Sequence, residues 1–465
     1  MSPDTTGIDH SRIDFAPLVE SVTGPVFTPG QEGYEEELTG FQAGYRHTPA
    51  AVLGAANAED VRLAVAFAAA HDIAVAVQAT GHGVTVLDRG GLVISTRRLT
   101  DITVDPGART ARIEAGARWE QVVALTAPHG LAPLSGSAGH VGVVGYTLAG
   151  GLGLLAREFG YAADLVEAVE VVTADGQARR VTADSDPDLF WALRGGRDNF
   201  GIVTALEISL LPVATVYGGG MYFDAAQADL VLEQFRSWTA TAPESVTASL
   251  GMIEYPPIPV FPEPLRGRHV VHVRFATTDL AAGPGLVAPW RAFGAGIIHE
   301  HLGELAYPEV GSIYAEPTFS HAYDGNSVLL SELTPEVLEA VRTLAGPGSP
   351  VDCIVDLRHM GGALSRQPEV PNSVPFREAA YILRVLSGSD EAPLADIRAA
   401  HAALDEAVKP WTLGRSLNFV YGERAADAYA GELYDPATRA RLAKLKGVYD
   451  PGNLFRTNLN IEPAA

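Results

Sequence analysis

A short loop, Thr80-Gly81-His82-Gly83, follows directly on the apolar run Ile73-Ala74-Val75-Ala76-Val77. Glycine accepts positive φ and leaves no side chain in the way, so several backbone N–H groups can point at one place, as a phosphate requires. A second segment, from Ser135 to Gly160, carries Gly136, Gly139, Gly142, Gly145, Gly150, Gly151 and Gly153 within eighteen residues. Glycine density alone fits tight turns or close packing as well as a nucleotide cradle. Neither segment is followed by the Lys-Ser or Lys-Thr of an NTPase phosphate loop. No third glycine follows Gly81-His82-Gly83 at the spacing of a dinucleotide-binding fold. Farther on, Asp356 and Arg358 alternate along Val355-Asp356-Leu357-Arg358-His359-Met360 and so share one face of a strand. A carboxylate beside a guanidinium stays ionised and can orient a polar substrate; it can equally be a structural ion pair. His359 points the other way and reads as structural. Tyr146 with the His299/His301 pair could form a metal or acid–base site, although histidines alternating on a strand are commonly just exposed.

These groups need elements to hold them. Asn57 can cap a helix whose third position is Asp60, with Val61, Ala64, Val65 and Ala68 at helical spacing. Val169–Thr173 and Ala178–Val181 flank Asp175-Gly176, a hairpin signal. Asp186-Pro187 can open a helix carrying Leu189, Phe190, Trp191 and Leu193, and Phe200-Gly201-Ile202-Val203 begins another strand. After Pro212 come spaced strands, Pro-rich connections and helical stretches near Ala225–Ala240 and Glu332–Ala345, an α+β pattern. Asp435-Pro436 opens a last helix with Leu442, Leu445 and Val448 expected on one face.

At 465 residues, two domains are the default. The formal charge of −23 disfavours nucleic acid and anionic membranes as partners. Cys353 is the single cysteine, which excludes an internal disulfide, a Cys-rich metal site and an iron–sulfur cluster. The polar start, Met1 to Pro17, has no signal-peptide pattern, and no apolar stretch is long enough to span a membrane. A cytoplasmic protein is expected.

Four motifs, in order, then carry a resemblance. Gly81-His82 is followed by Gly90-Gly91-Leu92-Val93-Ile94; Thr147-Leu148-Ala149-Gly150-Gly151-Leu152-Gly153-Leu154-Leu155-Ala156-Arg157 forms a glycine-rich run ending in Arg. Ala174-Asp175-Gly176 precedes Asp188–Gly196 and Asn199-Phe200-Gly201-Ile202-Val203-Thr204; Tyr449–Phe455 and Asn458-Leu459-Asn460-Ile461 close the chain. In these motifs the chain resembles the FAD-linked oxidases of the berberine-bridge-enzyme-like group, within the vanillyl-alcohol-oxidase and p-cresol-methylhydroxylase type. The resemblance implies an α+β, two-domain flavoprotein. Residues 1–212 and a return at 411–465 would form the FAD-binding domain, and 213–410 a substrate domain with an antiparallel sheet covered by helices.

The resemblance further implies FAD bonded through its 8α-methyl carbon to His82. Thr80, Gly81, Gly83, Gly136, Ser137, Gly142, Gly145, Gly150, Gly151, Gly153 and Leu154 would hold the cofactor from the two loops. Asn199, Gly201, Val203, Asn458 and Asn460 would hold it from the later motifs. Relatives with a second, cysteinyl link have it where this chain has Ala138, so one link is expected, and Cys353 reads as a buried small side chain. The family's base tyrosine aligns with Ser416, two residues before Asn418, and a serine hydroxyl is a poor base. The catalytic candidates are therefore Asp356 and Arg358, then Tyr421 and His140, although Tyr421 on a strand would share the face of Phe419 rather than Asn418. The implied reaction is hydride transfer from a small-molecule C–OH, C–N or activated C–H to flavin, with O2 as acceptor. A flavin oxygenase and a non-catalytic flavin carrier are the alternatives. The assembly would be a monomer or homodimer.

Overall fold

In the computed structural model, which describes residues 13–85, 87, 90–390, 392–420, 429 and 431–464, Asn57 caps the first long helix. Its Oδ1 accepts the Asp60 N–H at 2.9 Å, and Ala58–Ala70 buries Val61, Ala64, Val65 and Ala68. That helix packs with two sheets. In the first, β1 (Val26–Phe27), β2 (Ala51–Gly54), β3 (Val75–Gln78) and β4 (Leu92–Ser95) lie in the order β1-β2-β4-β3. β2, β4 and β3 are parallel, and β2 and β4 are wholly buried, which explains their unbroken apolar sequences.

The second sheet orders β5 (Ile102–Asp105), β6 (Thr110–Glu114), β7 (Val166–Val172), β8 (Ala178–Val181) and β9 (Ile202–Ser209) as β5-β6-β9-β7-β8. β7 and β8 form the expected hairpin about Asp175-Gly176, where Gly176 takes φ +71°. Asp186 accepts the Leu189 N–H at 3.2 Å and starts the helix Pro187–Leu193.

The third sheet comprises β10 (Thr215–Asp224), β11 (Val246–Tyr255), β12 (Arg268–Thr277), β13 (Ile297–Ala306), β14 (Tyr323–Leu330), β15 (Ile354–His359), β16 (Tyr381–Gly388) and β17 (Thr412–Gly414). Its order is β13-β10-β12-β11-β15-β16-β14-β17, antiparallel throughout. Strand alternation splits its residues cleanly. Met221, Phe223, Val271, Val273, Val355 and Leu357 pack with the helices Ala228–Thr239, Pro335–Ala345 and Leu394–Val408. The opposite face carries Arg274, Asp356, Arg358 and Arg384. Cys353 is buried and accepts the Ser387 hydroxyl at 3.5 Å, as a small core side chain.

Two local expectations change. Asp435 does open the helix Pro436–Tyr449, but Val448 is 65% exposed while Leu442 and Leu445 are buried. Buried Lys446 sets the helix roll: its ammonium pairs with Asp450 at 2.7 Å and donates to the carbonyls of Asn199 and Phe455. Leu417–Phe419 is a single 3-10 turn rather than strand, so strand alternation does not govern Ser416, Asn418 and Phe419. Among the described residues no helix is long and apolar enough to cross a membrane.

Candidate active site

β3 delivers the chain into Ala79-Thr80-Gly81-His82, and the preceding segment around Phe41 clamps that loop. Phe41 N–H donates to the Thr80 carbonyl and Gln42 N–H to that of Gly81, both at 2.9 Å. Gly81 sits at φ +68°, and a Cβ there would stand 2.6 Å from the Gly40 Cα, so this crossing requires glycine. The ring of Phe41 stacks on His82 at 4.1 Å and on His140 at 4.7 Å. The Tyr323 hydroxyl donates to the His82 carbonyl at 3.1 Å.

Nδ1 of His82 lies 2.9 Å from Thr80 Oγ1, which also accepts the Gly142 N–H at 3.3 Å, tying the two glycine-rich loops together. Its Nε2 is buried without a protein partner. Burial, reinforced by His140, Arg118 and His321, pulls the imidazole down to about 3, so it is neutral at pH 7.

A cavity of about 550 Å³ opens over this ring. Thr80, Gly81, His82, Gly83, Gly136, Ser137, Gly142, Gly145, Val203 and His140 line it from one side, and Asp356 and Arg358 from the sheet. No atom stands within 4 Å of where a Cβ would sit on Gly83 or Gly145, so bare backbone is available there. A cavity lined by bare backbone and by a neutral imidazole whose Nε2 has no protein partner fits a dinucleotide bearing an aromatic ring system.

The remaining sequence candidates support this groove from outside its lining. Gly150 and Gly151 form a positive-φ turn; Gly153 passes against the Ser135 carbonyl; Leu154 packs in the cluster with Tyr307. Asn199 donates to the carbonyls of Gly196 and Leu459 and accepts the Ile461 N–H, which fixes the C-terminal segment. Gly201 passes against the Val172 carbonyl, and Asn458 donates to Asp198 and Phe455. The Oδ1 atoms of Asn458 and Asn460 are buried without protein partners.

On the sheet, Asp356 accepts Arg358 Nε at 2.6 Å and Arg274 Nη1 at 3.2 Å. Burial would raise its carboxyl, but Arg358, Arg274 and Arg384 outweigh that and lower it. Arg384 is its Cα partner on β16. Tyr314 lies 4.4 Å from the Arg274 guanidinium and 4.9 Å from that of Arg358; Phe419 lies 4.7 Å from Arg384. Arg274 also donates Nε to His272 at 3.1 Å, and a Cβ on Gly251 would strike its guanidinium.

Several expectations sort themselves here. His140 is 4.9 Å from the His82 ring and so belongs to the loop side of the cavity. The lining takes in Tyr146 but not His299 or His301, which lie against Tyr222, and among the described residues no group of three metal-ligating side chains occurs. His359 does face away from Asp356, accepting from Arg157 at 3.0 Å. Ser416 is outside the lining, its backbone N–H donating to Ser327 Oγ. Asn418 accepts the Gly151 N–H at 3.0 Å and donates to the Tyr146 carbonyl at 2.9 Å. Tyr421 lies outside the described residues.

Sequence reading missed Phe41, Arg274, Arg384, Tyr314 and Tyr323. A signal existed for two of them: Val273-Arg274-Phe275 and Leu383-Arg384-Val385 each interrupt an apolar strand with an arginine.

The comparisons agree with this geometry. Residues 49–182 match the FAD binding domain family, and residues 426–462 match the berberine and berberine-like family. The chain is 27% identical to (R)-6-hydroxynicotine oxidase of Paenarthrobacter nicotinovorans over 95% of its length and 97% of that protein. It is 31% identical to an FAD-dependent monooxygenase of Penicillium roqueforti over 50% of its length and 47% of that protein. The solved xylooligosaccharide oxidase of Myceliophthora thermophila shares the fold, with a TM-score of 0.84 at 22% identity over 97% of this chain and 99% of that one. With both loops, the antiparallel sheet and the closing segment in place, the chain combines an FAD binding domain with a berberine-like closing segment and is similar along its length to FAD-linked oxidoreductases.

Proposed function

We propose that this protein is an FAD-dependent oxidase of a small-molecule substrate, with the flavin bonded to His82 and O2 as electron acceptor. The observation that carries the reading is the shared cavity. One wall is the His82 loop and its neutral imidazole; the other is the sheet bearing Asp356 and Arg358. FAD, when bound, supplies the hydride acceptor and the reaction with O2.

The chain's own residues supply the rest. A neutral imidazole keeps one nitrogen lone pair, which bonding to the 8α-methyl carbon needs, and Phe41 with Thr80 fixes the ring's plane and tilt. Ala138 leaves no cysteine for a second link. Asp356 is ionised at pH 7 and accepts a hydrogen bond from a substrate O–H or N–H. Its pairing with Arg358 and Arg274 makes it a weak base, so it orients the substrate and holds a proton only transiently. Ser416, off the cavity, contributes no proton transfer. The division into residues 1–212, 213–410 and 411–465 belongs to the same reading, as does a cytoplasmic monomer or homodimer.

The test is to photoreduce the purified protein anaerobically and then admit air. Reoxidation with one equivalent of peroxide is expected; failure to reoxidise would make the protein a flavin carrier. Transfer of labelled oxygen into an added substrate would instead make it an oxygenase, as the similarity to a monooxygenase would then explain.

A further inference from the structure

Two imidazoles share one aromatic face. Phe41 stacks on His82 at 4.1 Å and on His140 at 4.7 Å, and the two histidine rings lie 4.9 Å apart, 33° from parallel. Both line the cavity, yet their surroundings differ. Burial, His140, Arg118 and His321 all disfavour a proton on His82. His140 is half-buried, and burial holds it below the usual histidine value, so it is unprotonated at pH 7. Arg118 and His321 act on it in the same sense, but the carboxylates of Glu316 and Glu120 oppose them and favour a proton on its ring.

Titratable neighbours in opposed environments divide into acid–base roles. His82, kept neutral and with Nε2 lacking a protein partner, suits a nucleophile. His140 suits a base, because two carboxylates compensate the proton it gains. The other groups around the loop are committed elsewhere. Glu316 accepts the Ser137 hydroxyl at 2.6 Å. His321 meets Phe41 edge-on at 5.4 Å, with its Nδ1 3.0 Å from the Phe319 carbonyl. Asp356 stands on the sheet across the cavity, paired with Arg358 and Arg274.

We propose that His140 is the base that removes a proton from the flavin 8α-methyl carbon as His82 bonds to it. The proposal rests on the reading of His82 as the flavin's point of attachment. The C–H bond breaks and its proton goes to His140. The C–N bond forms from the His82 lone pair, and His82 gives up its remaining N–H proton. The electron pair of the broken bond passes into the flavin ring; O2 takes it with the two protons, giving one hydrogen peroxide per bond formed. A His140 that served only to pack on Phe41 would be replaceable by another ring.

The experiment follows acid-stable flavin over time after FAD is added to the full chain produced under riboflavin limitation, in wild type, H140F and H140A, from pH 6 to 9. H140F keeps a ring on Phe41 but holds no proton. It should bind FAD, read by quenched flavin fluorescence before acid, and form the bond about a hundredfold more slowly, as loss of a general base entails. Its rate should climb with pH as hydroxide takes over, while the wild-type rate stays level above pH 7. Added imidazole should restore bonding in H140A, where the shorter side chain leaves room for it. An H140F rate equal to wild type, or an H140A rate that imidazole leaves unchanged, would overturn the proposal alone. Wild type that binds FAD but never gains acid-stable colour would instead sink the attachment to His82, and the proposal with it.

Discussion

The imidazole of His82 lies nearly flat on the ring of Phe41, with centroids 4.1 Å apart and planes 12° from parallel. Phe41 belongs to a segment far from the glycine loops in sequence, yet its backbone N–H pins the Thr80 carbonyl. Phe41→Ala should therefore loosen the ring proposed to bond the flavin. Aromatic stacking is worth about 1 kcal/mol beyond burial, so incorporation should slow several-fold, with part of the colour released on acid treatment. Phe41→Tyr should keep full incorporation.

The Asp356 carboxylate compensates buried Arg358 and Arg274. Asp356→Asn leaves those charges in place and should cost about 3 kcal/mol of stability at pH 7, measured by urea unfolding. Its folded value is lowered, so the unfolded chain binds the proton first and the stabilisation is complete above the ordinary aspartate range. The gap between wild type and variant should hold from pH 8 to 5 and close as pH falls below about 3.9.

His359 acts in the same direction as Asp356, over a higher pH range. Burial, then Arg157, lowers it to about 3, so below its ordinary value the unfolded chain takes up a proton that the folded chain refuses. Stability is then lost as pH falls, by up to about 1.4 kcal/mol per pH unit for one such group. His359→Gln, which still accepts from Arg157, should flatten the decline between pH 6.5 and 5 by about that slope.

Asn418 joins the turn at Leu417–Phe419 to two backbone groups of the second glycine loop. Asn418→Leu leaves both unpaired and should lower stability by about 2 kcal/mol, seen in thermal melting of the protein before flavin loading.

Local signals in the sequence carried far where the structure is local. The Asn57 cap, the Asp175-Gly176 hairpin and the Asp186 helix start each depend on a few neighbouring residues, and each stands as read. The glycine loops were equally readable, since their backbone requirement is written in residue type. The arginine wall was not. Alternation puts Arg274, Arg358 and Arg384 on strand faces, but only the order β12-β11-β15-β16 brings those faces together, and strand order is a long-range property. Phe41 was hidden for the same reason, being joined to His82 by tertiary contact alone. Val448 misled because an apolar residue at helical spacing is outcompeted when a lysine finds three buried acceptors.

The most direct test of the account is acid precipitation of the purified protein, wild type against His82→Ala, followed by absorbance of pellet and supernatant. The account predicts yellow colour retained in the wild-type pellet and released from, or absent in, the variant. Wild-type colour passing wholly into the supernatant, or a His82→Ala pellet that stays yellow, would contradict the bond to His82.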